Sequence, residues 1–154
     1  MKENEDGLSV KERNQKVKDY LNYGRVADKK VRFVERQMEE LEASKKYPSM
    51  ANDGMPHGSS QKDLSDYIVA MERLQNKLLG IRARELERKN DILEKLEKMD
   101  MKEAEVLRMF HLERRTVRDI AKELGYSEAN IHKIHSKGLK NFKLEDSEKK
   151  IDHD

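Results

Sequence analysis

The chain has 154 residues, of which 42% are charged and 35% hydrophobic, with a net charge of +2 and no cysteine. That composition is too polar for one thick globular core and suits long amphipathic helices, each needing a single apolar stripe. It excludes disulfides and thiolate metal sites, and any nucleic-acid binding must rest on local charge, because the chain as a whole is not a polycation.

The amino terminus, MKENEDGLSV, lacks the apolar run of a secretory signal. No stretch approaches the ~18 apolar residues of a membrane span. A cytoplasmic protein with no membrane contact is expected. Residues 1–7 read as a disordered start. A helical segment over 8–45 follows, in which Val17, Tyr20, Gly24, Ala27, Val31, Val34, Met38 and Leu41 recur at alternating steps of three and four. That is the rhythm of a coiled-coil seam. Gly24 interrupts it and predicts two helices or a bend near Asn22–Gly24. Residues 46–60 contain both prolines, Pro48 and Pro56, with Gly54 and Gly58, and read as a linker.

Residues 61–99 carry the longest helical pattern. Leu64, Tyr67, Ile68, Met71, Leu74, Leu78 and Ile81 form one stripe, resumed at Ile92, Leu93, Leu96 and Met99. Such a helix reaches roughly 55 Å and cannot stand alone. Its stripe needs cover from the first segment folded back on it, or from a second chain, so a homo-oligomer through this arm is a candidate assembly.

Residues 100–144 read as a helix-turn-helix domain, followed by a charged tail over 145–154. Asp100 is the expected N-cap, with Glu103 completing a capping box. Val106, Leu107 and Phe110 form a buried side with Met109 at its edge. Thr116 caps a helix through Leu124 whose inward face is Val117, Ile120, Ala121 and Leu124. Gly125 supplies a left-handed residue, and Ser127 caps a second helix with Ile131, Ile134 and Leu139 turned inward. Ile120, Ala121, Leu124, Gly125, Ile131 and Ile134 are the core of the motif, and Ala121 permits the close crossing of the two helices. The outward face of the second helix carries Glu128, Asn130, His132, Lys133, Ser136 and Lys137, which can bond base edges or phosphates. Arg114, Arg115 and Arg118 add positive charge at the start of the preceding helix.

Other chemistry is thin. His132 and His135 lie three apart, but two histidines without a placed carboxylate make a poor metal site. His111, His57 and His153 read as surface residues. Glu39–Glu40 and Glu85–Glu87 lie among lysine and arginine as solvated charges. No nucleophile elbow or phosphate-cradling loop is present, so no catalytic residue, cofactor or metal is expected, and the chain does not read as an enzyme.

EAEVLRMFHLERRTVRDIAKELGYSEANIHKIHSKGLKNF, residues 103–142, resembles the promoter-reading region 4 domain of sigma factors, with Ser136-Lys137-Gly138-Leu139 in the place of its small-residue segment. More of the chain, roughly 18–142, is similar to small phage and prophage proteins that include the ArpU-type regulators of late transcription. YLNYGRVADKKV and MPHGSSQKDLSDYIVAMERL carry that wider likeness. The resemblance implies an all-α fold, a long N-terminal helical hairpin or coiled coil joined to a C-terminal helix-turn-helix. It implies sequence-specific double-stranded DNA binding in control of phage transcription, with RNA polymerase a candidate partner. Ser127, Glu128, Asn130, His132 and Lys133 would read bases. Arg114, Arg115, Arg118, Ser136 and Lys137 would hold phosphates. No counterpart of the sigma domains that melt promoters is present, which suits an accessory regulator. A phage DNA-packaging recognition subunit and a helical adaptor that binds polymerase without reading DNA are the alternatives.

Overall fold

A computed structural model describes residues 9–46 and 60–144. Among these residues every regular element is helical: α1 (Val10–Leu21), α2 (Tyr23–Lys46), α3 (Ser60–Glu97), α4 (Met101–Leu107), a π-helical turn (Arg108–Leu112), α5 (Val117–Leu124) and α6 (Glu128–Asn141). The expected disordered start over 1–7, the interior of the 46–60 linker, the 145–154 tail, His57 and His153 lie outside the described residues. Within them no helix is long and apolar enough to cross a membrane.

The break expected near Gly24 falls at Asn22, the C-cap of α1. At its other end, α1 begins with a full capping box: the Ser9 side chain accepts from the Glu12 amide and the Glu12 carboxylate accepts from Ser9. This satisfies two N–H groups that a helix start leaves orphaned.

The chain divides into two compact units. Residues 25–85 form one, the helical hairpin of α2 and the first two-thirds of α3. The seam read from the sequence is covered here. Ala27, Val31, Val34 and Ile81 are buried, and Arg82 bridges back to Asp28 at 3.3 Å. The long stripe of α3 is not covered throughout. Tyr67, Met71, Leu74 and Leu78 are half-buried, but Leu64 and Ile68 are exposed. The reason is angular, since one facing helix can cover only a sector of about 100°.

The second unit joins residues 1–24 to residues 86–154, so α1 and the end of α3 pack with α4, α5 and α6. Two clusters hold it together. Val17, Tyr20, Leu21, Ile92, Leu96, Leu107, Leu139, Phe142 and Leu144 form the larger. Val106, Met109, Ile120, Ala121 and Ile131 form the other, inside the motif. α4 packs on α6 with glycine at the contact. A Cβ at Gly138 would stand 3.1 Å from Leu107 Cγ, so even alanine there requires the Leu107 side chain to give by a few tenths of an ångström.

Two expectations about α4 need correction. Met109 is buried and Phe110 only partly so, the reverse of the sequence reading. The π-turn explains this. Its wider hydrogen bond, Glu113 N–H to Arg108 O at 3.0 Å, rotates the face beyond residue 108 away from the α-helical register. Glu103 does not close a capping box. The Asp100 side chain accepts from the Glu103 amide, but the Glu103 carboxylate turns inward, 5% exposed, and accepts from the Asn141 amide at 3.0 and 3.2 Å.

Candidate nucleic-acid interface

The motif is set by local chemistry at three points. Thr116 accepts from the Asp119 amide and starts α5. Ser127 accepts from the Asn130 amide at 3.1 Å and starts α6. Between them Gly125 sits at φ 73°, and the amides of Gly125 and Tyr126 both bond Ala121 O. Positive φ costs an L-residue about 1–2 kcal/mol. No atom lies within 4 Å of the Cβ position at Gly125. Gly125→Ala is therefore expected to destabilise the protein by about 1–2 kcal/mol through backbone strain alone, read as a lower urea midpoint with an unchanged slope.

The packing of the motif follows the predicted core. Ile120, Ala121 and Ile131 are buried in one cluster, and Leu124 and Ile134 pack against it. This leaves one side of α6 in solvent. Glu128, His132, Lys133, Ser136 and Lys137 are exposed, whereas Asn130 is half-buried on the flank. Ser127 is exposed, but its oxygen already serves the cap. Lys137 Nζ lies 3.8 Å from the buried Glu103 carboxylate. Arg114 and Arg118 are exposed, and Arg115 pairs with Glu123. Arg114 holds φ 58°, closing the π-turn, and Arg115 N–H reaches Met109 O.

The sequence reading missed four parts of this site. Ala129 is exposed three and four residues before His132 and Lys133, at the middle of the solvent face, and that spacing could have found it. Arg13 could not be found locally. Its guanidinium donates to the carbonyls of Leu139, Lys140 and Phe142 at 3.2, 3.1 and 2.7 Å. A cation thus satisfies orphan carbonyls at the negative end of α6.

The other two, His111 and Asn22, form a chain of side chains with His135. His111, expected at the surface, is 4% exposed. Its Nδ1 donates to Asn22 Oδ1 at 2.7 Å, and its Nε2 lies 2.8 Å from His135 Nε2. With Nδ1 carrying the proton, the neutral His111 ring accepts at Nε2 and His135 donates. The chain ties the α1–α2 junction to α6. It also separates His135 from His132, which is exposed. No cluster suited to a metal occurs among the described residues.

Burial, with smaller contributions from Lys18 and His132, holds His135 down to about 4, against an ordinary value of 6.5. The folded state therefore takes up this proton later than the unfolded chain. Stability from this source is full above pH 6.5 and falls as pH drops from 6.5 toward 4. His135→Gln, whose amide can still bond His111, is expected to flatten that part of the stability profile, measured by urea unfolding at stepped pH.

A bent pair of short capped helices, the second one cationic and free on its outer side, defines a helix-turn-helix DNA-binding module. Residues 96–143 match the family model for sigma-70, region 4. The match covers α4, the π-turn, α5 and α6, and marks this part of the chain as a regulatory DNA-binding domain. No curated protein and no solved structure matches the chain.

Proposed function

We propose that the chain is a sequence-specific double-stranded DNA-binding transcriptional regulator, phage- or prophage-encoded, acting in the cytoplasm. The observation that carries it is the solvent face of α6. His132, Lys133, Ser136 and Lys137 stand exposed on a helix whose other side is locked into a region 4-like core. Residues 100–144 are the reading head in this proposal, and the helices of 8–45 and 61–99 are the arm.

Docking begins with charge. Arg114, Arg118 and Lys137 hold phosphates with Ser136, and Arg115 joins them by exchanging Glu123 for a phosphate oxygen. The N-terminal half of α6 then enters the major groove. Lys133 and His132 donate to base acceptors, Glu128 accepts from a cytosine amino group, and Asn130 reads from the flank. Ser127 orients the helix and can donate its own hydroxyl hydrogen. RNA polymerase is the proposed protein partner, on the region 4 likeness. No catalytic group, cofactor or metal has a part.

One head covers a short site, so high specificity calls for two heads on one duplex, joined through the arm. Selection of bound duplexes from a random pool tests the proposal. Enrichment of a defined sequence supports it. An unenriched pool under conditions where the protein is folded would refute sequence-specific reading.

A further inference from the structure

Helix α3 has a second apolar side that the hairpin leaves in solvent. Leu64, Ile68, Val69 and Leu79 are 47–67% exposed, and Ala83 is exposed beside them. At 100° per residue these positions share one side of the helix, roughly 130° from the covered stripe of Tyr67, Met71, Leu74, Leu78 and Ile81. A solvated helix face ordinarily carries charge, and 42% of this chain is charged. Yet between residues 64 and 83 the charges on this side are Glu72 and Arg82, and Arg82 is already turned to Asp28 and Glu85.

The order of residues along the face selects its occupant. It is apolar at both ends and polar in the middle, where Glu72, Gln75 and Asn76 are exposed. Turned end for end about a point between residues 73 and 74, its central strip matches itself, with Ser65 opposite Arg82 and with Val69 and Asn76 left at the margin. Ile68 falls opposite Leu79, Leu64 opposite Ala83, and the Glu72 carboxylate opposite the Gln75 amide. In a parallel pair Glu72 would face its own copy, and like charges would oppose the contact. A surface that matches itself on reversal is what a two-fold dimer requires.

We propose that α3 pairs antiparallel with α3 of a second copy of this chain. This deepens the proposal of two heads joined through the arm. The contact is about 29 Å long at ~1.5 Å per residue. One helix face about 10 Å wide then covers roughly 300 Å² per copy, below the ~800 Å² of a standard stable interface. The dimer is accordingly weak and concentration-dependent, and two half-sites on one duplex would raise the effective concentration of the partner.

The test uses the full chain without DNA, so its failure is distinct from failure of DNA reading. The chain has no cysteine, so single cysteine variants report cleanly. Gln75→Cys lies near the proposed axis and should form a disulfide dimer under mild oxidation. Leu64→Cys, with its copy about 29 Å away along the axis, should not. Adding Leu79→Lys to Gln75→Cys should reduce the dimer at least about tenfold, with helicity by circular dichroism unchanged. A Gln75→Cys chain that stays monomeric at high concentration overturns the proposal, as does efficient cross-linking at Leu64→Cys.

Discussion

Replacing Lys133 by glutamate is expected to weaken duplex binding by about 10- to 100-fold, the equivalent of losing one good base or phosphate contact. Lys133 is exposed on the outer side of α6. The substitution reverses its sign, so the loss combines a missing donor with repulsion of the nearest phosphate. Two controls separate contact from folding. Glu39, exposed on α2, should tolerate loss of its charge, because the arm carries none of the proposed DNA contacts. The urea midpoint of Lys133→Glu should stay near that of the parent protein, because an exposed site away from caps and core changes stability by only about 0.5 kcal/mol. If Lys133 touches a phosphate, the dependence of log affinity on log salt should also flatten by about 0.9. Anisotropy titrations of an enriched duplex at several salt concentrations read both effects. Equal affinity of the variant and parent would remove Lys133 from the interface.

Phe142→Ala is expected to destabilise the protein by about 3–5 kcal/mol, the range for removing a buried aromatic ring. Phe142 is fully buried and is among the largest buried side chains of the protein. It sits where α1, the end of α3 and the end of α6 meet, in the cluster with Val17, Leu21, Ile92 and Leu139. Its ring lies 6.0 Å from that of Tyr20, tilted at 47°. Domains of this size are stable by about 5–15 kcal/mol, so the substitution removes a large share. The effect should reach DNA binding, since the Phe142 carbonyl is also one of the three that Arg13 holds at the end of α6. Urea unfolding followed by circular dichroism reads the loss. A change under about 1 kcal/mol would mean that the cluster does not hold α6 in place.

The parts of the fold that were legible in the sequence are those set within a few residues. Asp100, Thr116 and Ser127 cap the amides three residues ahead, and a cap shows as a residue type at a fixed offset. Gly125 shows as a glycine after the last apolar residue of α5. The seam from Val17 to Val34 shows as a period. What was missed depends on contacts between distant segments or on a change of register. A π-turn has no residue code of its own, and it moved Met109 inward and Phe110 outward. Arg13 caps α6 from 126 and more positions away in sequence, and nothing near Arg13 indicates it. His111 looks like an exposed end-of-helix residue until Asn22 and His135 are brought to its two ring nitrogens. The inward turn of Glu103 is of the same kind, because its partner Asn141 lies 38 residues on. For the candidate site, the exposed cations were legible one by one. The placement of Asn130 on the flank and of Ala129 at the centre of the face required the helix axis.

DNA reading by this protein depends on which side of α6 meets the nucleobases, and one measurement addresses it directly. The chain has no native cysteine, so Ala129→Cys can carry a single short photo-cross-linker at the centre of the exposed face. With a duplex taken from the selected pool, this position should cross-link to bases inside the enriched sequence, while the same probe at Glu39→Cys, on α2 of the arm, should leave those bases unmarked. Cross-links that avoid the enriched bases, or that form equally well from both positions, would contradict a major-groove role for this helix.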